Sequence, residues 1–439
     1  MNKGRGFLLT LLALLLCISV NSQTVWTLKA CVDTAFKRNI SLNQEQLGNQ
    51  IEAVNLAQSK SAFLPNLNVN DVQTLHTGST QDQYSTQYTR QNISTNSLSL
   101  NSSMTVFNGF LLLNTIKQNH LIYEAGVLDV EKTKNDIMLN VVAGYMQILM
   151  DYEAINAAQA QVDATLDHVR QIQQYVDFGK LAELSLLQIQ SQLSTDKLLK
   201  VTAENQLQLD KLTLLQLMET PVRADFEIKR MELGELFPET PWPTKEIDKI
   251  SEGFLPQIKS ASEKTYASLY SLKMAQSGKL PKLTLGGALT TGYSGAKNDQ
   301  ISGQFNNNFS QQLSLTLAIP IFNNYLVRSY ISIAKINVER ARWNEKQTKN
   351  DVRKNIELVY TSQVMAGRKL VATREQMELE TRTYVDMEKK FSVGSMGVTD
   401  FLIEKNNYNK AKLLLIQARY DYTLKAKMVD FYLGKSLME

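Results

Sequence analysis

Asp400 and Glu404 stand four residues apart in "VTDFLIEKNN", so on a helix both carboxylates fall on one face. Repeated around a constriction, such a pair would favour cations and repel anions. Asp400 also follows Thr399 at the head of a helical run, where aspartate is a good N-cap, and the two roles can coexist. Catalytic groupings are missing. His76, His120 and His168 are scattered without metal-ligand spacing and read as solvated or packed residues. "GKS" at 434–436 lacks the upstream glycine of a phosphate loop, since Val429 stands there, and "LGGALTTG" at 285–292 follows no βαβ pattern. The expectation is a protein that is not an enzyme and needs no cofactor or metal.

The elements that position Asp400 and Glu404 begin after a leader. "MNKGRGFLLTLLALLLCISVNSQ" has a basic start at Lys3 and Arg5, a short apolar run and small residues near Ser22, so residues 1–22 read as a secretory signal peptide. Leu16 is a poor residue to precede a lipidated cysteine, which argues against lipidation at Cys17. Cleavage after Ser22 leaves 45 basic and 43 acidic residues, a net charge of +2 that gives no footprint for nucleic acid. Cys31 is then the one cysteine, so no internal disulfide can form. With 43% hydrophobic and 21% charged residues the composition is neither disordered nor that of a many-helix membrane protein.

The rest is written twice. At an offset of 215, "LSLNSSMTVFNGFLLLN" (98–114) falls on "LSLTLAIPIFNNYLVRS" (313–329), and Gly179 falls on Gly394. The halves meet in a segment holding four of the eight prolines, Pro221, Pro238, Pro241 and Pro243. That density forbids a helix. The expected organisation is a first repeat at 23–236, a Pro-rich linker at 237–250 and a second repeat at 251–439.

From Asn108 to about Phe178, and from Asn323 to about Phe391, proline is absent and apolar residues recur at helical spacing, as in Ile331, Ala334, Val338, Ala341 and Trp343. After the breaks "DFGK" and "SVGSMG", second helices return from Ala182 to Met218 and from Val398 to Leu433. Each repeat thus carries a long antiparallel helical hairpin. The strands before it alternate: Leu283, Leu285 and Leu289, then Leu313, Leu315, Leu317 and Ile319, share one face against small polar residues. The first repeat does so more weakly, with Leu67, Val69, Leu98, Leu100, Met104 and Val106. This alternation suits a half-buried soluble sheet or a lipid-facing barrel wall. The helices run straight on from the strands and have little chance to fold back over them, which favours the barrel. Four strands cannot close a membrane barrel, whereas three chains would supply twelve.

In its order of parts the chain resembles the TolC-like outer-membrane efflux proteins. "WTLKACVDTAFKRNISL", "SAFLPNLNV", the junctions "FNGF" and "FNNY" and the turn "FSVGSMGVTDFL" carry the likeness over essentially the whole mature chain. The resemblance implies an α+β membrane protein working as a homotrimer. Its four strands per chain would join a shared 12-stranded barrel in outer-membrane lipid, continued by a helical periplasmic tunnel. It also implies a passive exit duct for efflux or type I secretion, partnered by a periplasmic adaptor and an inner-membrane pump, proton-driven or ATP-driven. A periplasmic adaptor or a soluble periplasmic enzyme is the alternative. The resemblance places Asp400 and Glu404 at the tunnel's periplasmic gate, and the tips Gly179, Lys180 and Leu181, and Gly394, Ser395 and Met396, at the adaptor contact, where a helix-breaking turn alone explains them equally well. The basic residue expected two positions after the turn glycine is Met396 here.

Overall fold

The computed structural model describes residues 25–81, 86, 88–90, 92–223, 225–231, 253–296, 300–435 and 437. The leader with Cys17 and the Pro-rich linker at 237–250 lie outside the described residues.

In chain order the elements are α1 (Leu28–Arg38), α2 (Ile40–Ser61), β1 (Asn66–His76), β2 (Ser79–Gln81), β3 (Tyr88–Arg90), β4 (Ile93–Asn108), α3 (Leu111–Asp177) and α4 (Glu183–Leu217). The second repeat follows with α5 (Pro256–Ser277), β5 (Lys282–Ser294), α6 (Ile301–Asn307), β6 (Ser310–Ala318), α7 (Leu326–Ser392) and α8 (Val398–Tyr432). The duplication holds to the residue in the helices. Both α3 and α7 have 67 residues, both α4 and α8 have 35, and every boundary keeps the offset of 215. Upstream the spacing is different, because Pro65 and Pro281 are 216 residues apart while Phe107 and Phe322 are 215 apart. The first repeat therefore holds one more residue in its strand hairpin, and β4 carries a bulge between Thr105 and Phe107 that takes Val106 out of register.

The polar stretch between β5 and β6 holds α6. One sequence expectation needs revision. On α7, Ile331, Ala334 and Val338 are buried as their spacing predicts, but Trp343 is 64% exposed with Lys346 over its ring.

The chain forms two compact units that cut across the duplication, each taking segments from both repeats. One contains residues 45–130 and 256–349, with the strands. There β1, β4, β5 and β6 form an antiparallel sheet in that order, so the two hairpins are joined through β4 and β5. The other contains residues up to 44, 131–255 and 350–439, with the returning helices and the turns. Its strand-like feature is a bridge between Trp26 and Ile228, where Trp26 N–H donates to Glu227 and Lys229 N–H donates to Trp26. Tyr145 of α3 secures this bridge by donating to the Lys229 carbonyl at 2.6 Å.

Candidate functional site

The first candidate surface is one face of the sheet. Pairing sets Leu283 opposite Leu317, Leu285 opposite Leu315 and Gly287 opposite Leu313; across the other edge of β5, Leu289 meets Leu100 and Leu285 meets Met104. Val69 completes the row opposite Leu100. Side chains two apart share a face, so every sequence-predicted strand leucine lies on the same side. Ile319 lies beyond it, since β6 ends at Ala318, and the bulge takes Val106 out of the row. The opposite side carries Asn68, Asn70, Ser99, Asn101, Thr284, Gln312, Ser314 and Thr316.

Among the described residues nothing covers the leucines of the apolar side; α6 reaches only the far end of this side, where Phe305 meets Tyr293 and where Asn96 bonds Asp71 and Gln73. Leu67 is 69% exposed, Leu313 80% and Leu315 65%. Both outer strands, β1 and β6, also leave one edge of backbone groups unpaired within the sheet. Burying no face and closing no edge is costly for an isolated sheet in water.

The strand-to-helix junctions repeat a rare backbone. Gly109 and Phe110 have φ of 65° and 67°, and their counterparts Asn324 and Tyr325 have 51° and 62°. Glycine is required at 109, because a Cβ there would lie 2.7 Å from both the Leu280 Cβ and the Ser277 carbonyl oxygen. Each junction stacks two aromatic rings edge to face, Phe107 with Phe110 at 5.3 Å and Phe322 with Tyr325 at 5.6 Å. Phe322 and Tyr325 are largely exposed.

The second candidate surface is the pair of turns between the long and returning helices. Gly179 and Gly394 adopt φ of 71° and 75°. In each turn the next residue's N–H reaches back to the last helical turn, Lys180 to Tyr175 at 2.8 Å and Ser395 to Lys390 at 2.9 Å. This is the C-terminal cap that a left-handed residue allows. Gly179, Lys180, Gly394 and Ser395 are exposed. Leu181 and Met396 differ from them, for they pack on a core made by Ile172, Leu186, Ile189, Phe391, Val398 and Phe401. The two tips are tied together, Tyr175 donating its hydroxyl to the Ser392 carbonyl at 3.1 Å.

Asp400 is not the N-cap of α8. Gly397 holds that position without a side-chain bond, and Asp400 sits in the first turn, where a carboxylate favours the helix dipole. Asp400 is exposed and Glu404 half-buried. The capping reading therefore falls for a physical reason: the chain enters the helix through an extended glycine three residues earlier.

Sequence reasoning missed a buried polar network one turn further on. Lys405 of α8 and Asp196 of α4 are 2% and 1% exposed, with Nζ to Oδ2 at 3.8 Å. Thr165 of α3 lies between them, bonded to both. Gln161 and Gln192 each donate to Asp196 Oδ1, at 2.6 and 2.8 Å. Burial lowers the Lys405 pKa to about 8 despite the attraction of Asp196 and Glu388. His168 sits beside this network between Phe391 and Phe401, and burial and Lys405 push its pKa down to about 4. The signal was present: Lys405 continues the buried stripe Val398, Phe401 at helical spacing, and Asp196 continues Leu186, Ile189.

Among the described residues no three of His, Cys, Asp and Glu gather as metal ligands, and no helix is long and apolar enough to cross a membrane. The latter says nothing of a β-barrel.

Comparison with known proteins agrees with this geometry. The sequence model of the family described as "Outer membrane efflux protein" matches residues 32–219 and 255–435. Among relatives, the outer membrane protein TolC of Escherichia coli is 25% identical over 321 residues, 71% of this chain. The chain spans 64% of that protein's length and of its Salmonella enteritidis counterpart's. The toxin and drug export protein A of Aggregatibacter actinomycetemcomitans is 21% identical over 74% of this chain and 69% of its own. Among solved structures, CusC superposes with a TM-score of 0.80 at 15% identity, covering 93% of this chain and 92% of its own. The outer membrane channel CmeC of Campylobacter jejuni gives 0.78 at 18%, covering 93% and 85%. At such identities these two likenesses establish the fold.

Proposed function

The chain belongs to the outer membrane efflux protein family, and from that premise we propose that it is the outer-membrane exit duct of an efflux or type I secretion assembly. The observation that carries the reading is the sheet, whose leucines lie uncovered on one face and whose two edges are unpaired among the described residues. Lipid satisfies the face, and other copies of the chain satisfy the edges. Three copies give twelve strands, within the size range of closed membrane barrels. Small uncharged polar residues then line the interior. Exposed apolar positions on α2 (Leu47, Ile51, Val54) and α7 (Ile333, Ile336) support assembly in the helical part as well.

The duct is passive, so a pump in the inner membrane supplies the energy, and a periplasmic adaptor meets the exposed tips at Gly179, Lys180, Gly394 and Ser395. Asp400 and Glu404, exposed and half-buried on the helix that leaves one tip, form a charged ring in the trimer that favours cations. Two strand hairpins per chain support a duct over an adaptor. The test is the mass of the detergent-solubilised protein together with planar-bilayer conductance. A trimer forming cation-selective pores is expected, and a water-soluble, non-conducting monomer overturns the reading.

A further inference from the structure

A cavity of about 610 Å³ opens where β4 runs into α3, walled by α3, the end of α5 and α7, all within the unit that holds the strands. Four of its lining residues are lysines, Lys117, Lys273, Lys279 and Lys335, and each is exposed. No carboxylate lines it, and among the described residues none of the four has an ion-pair partner. Other lysines of the same unit do: Lys264 reaches Asp129 and Lys349 reaches Glu345. Lys117 and Lys273 instead lie over one ring, that of Tyr270, at 5.8 and 4.5 Å. Four like charges around one opening repel one another, and an anion set among them reverses that cost.

The cavity meets the apolar side of the sheet. Phe107 lies opposite Leu283 and so shares that side, and Phe110, which lines the cavity, stacks edge to face on Phe107. Leu113 and Leu280 continue the wall and are 48% and 42% exposed. An apolar path therefore runs from the lysines through Phe110 and Phe107 to the uncovered strand leucines. Lys279 also faces a second hollow beside Arg328, which lies over the Tyr325 ring and extends the positive rim. Lys282 differs, for alternation puts it on the polar side with Thr284, and it borders another hollow.

We infer that this cavity holds the headgroup of an anionic phospholipid, its phosphate among the four lysines and its acyl chains laid along Phe110, Phe107 and the strand leucines. The inference rests on the duct reading, which puts lipid against those leucines. Ammonium groups attract a phosphate as point charges, and a basic hollow bordering an apolar wall suits a headgroup whose chains have somewhere to go. A free anion would leave that wall unmet. A zwitterionic headgroup would bring its own ammonium to four others.

The test is native mass spectrometry of the full chain released from a non-ionic detergent, with phosphatidylglycerol or phosphatidylcholine of identical acyl chains added. Phosphatidylglycerol is expected to saturate at one lipid per chain and to bind about tenfold more tightly than phosphatidylcholine. Equal affinities in the wild type overturn the inference, a readout that requires no variant to fold. Lys117→Gln, Lys273→Gln, Lys279→Gln and Lys335→Gln combined should remove the preference, and a preference that survives them overturns the inference too. Lys282→Gln, at the same end of the sheet on its polar side, should keep the preference; an equal loss there would report the general field of the protein and overturn the site. Excess glycerol 3-phosphate, which has the phosphate without the chains, should not displace the lipid, and displacement would assign the cavity to a free anion instead. A trimer that binds both lipids equally overturns this inference and leaves the duct standing. A monomer that stays in buffer without detergent overturns the duct reading, and this inference with it.

Discussion

Lys405 and Asp196 show how a charged pair survives in a helical core. Each is nearly inaccessible, and each would be expelled were it alone. Thr165, Gln161 and Gln192 supply the hydrogen bonds that water would otherwise give. Asp196→Ala strands the ammonium, and a loss of ~3–5 kcal/mol is expected. Asp196→Leu combined with Lys405→Met should recover most of it, as read by a double-mutant cycle on the unfolding midpoint; additive losses would show that the pair does not interact. His168 adds a dependence on pH. Its folded pKa of about 4 lies below the ordinary 6.5, so the unfolded chain binds the proton more readily. The stability from neutral His168 is therefore complete above pH 6.5 and drains away as pH falls towards 4, by roughly 3 kcal/mol. The groups facing it are Lys405 on α8, Glu388 on α7 and Asp167 on its own helix. His168→Phe should flatten the melting temperature across that interval, and an unchanged slope would assign the acid loss to other groups.

At the scale of elements, the turns and junctions decide where helices stop. Gly179 and Gly394 hold left-handed backbone with open space where a Cβ would go, so substitution meets backbone strain alone. Gly394→Ala should cost ~1–2 kcal/mol, and Gly394→Asn less, in the same unfolding measurement. Equal costs would mean that the tip relaxes to another conformation. These turns were legible because a glycine inside a long apolar period has few other uses. The strand leucines were legible for a similar reason, since alternation leaves one choice of face. The bulge at Val106 was not, because one extra residue changes register without changing composition. Nor was α6, whose polar "ISGQFNN" carries no apolar period. Asp400 was misread as a cap because glycine at the N-cap bonds through nothing that a side-chain pattern can show. Lys405 and Asp196 were passed over because charge suggests solvent, and their place in the buried stripe counts only when partners on other helices are known.

At the scale of the molecule, the uncovered face and unpaired edges of the sheet make separate demands, and each can be tested. The face demands hydrocarbon. Leu315→Lys in β6 should cost up to ~4 kcal/mol and reduce recovery from the outer membrane, while Thr316→Lys, one residue on and pointing to the polar side, should be tolerated and alter conductance instead. Equal effects would mean that the two sides do not face different media. The edges demand other copies of the chain. In a closed ring the free edge of β6 in one chain meets the free edge of β1 in the next, and no pair within one chain can stand in for that contact. Asn70→Cys on β1 and Ser314→Cys on β6 both lie on the polar side of the sheet, with two strands between them within the chain. Neighbouring strands bring facing or diagonal side chains within about 8 Å, so a short bis-maleimide should bridge these cysteines between chains whatever the local stagger of one or two residues. Buried Cys31, its thiol pKa raised to about 12 by burial, should stay unreactive. Denaturing gels should then show linked dimers and trimers for the double variant and single chains for either variant alone. Only single chains from the double variant would mean that the two edges never meet, and the twelve-strand wall would have to be abandoned even if the helices still assembled.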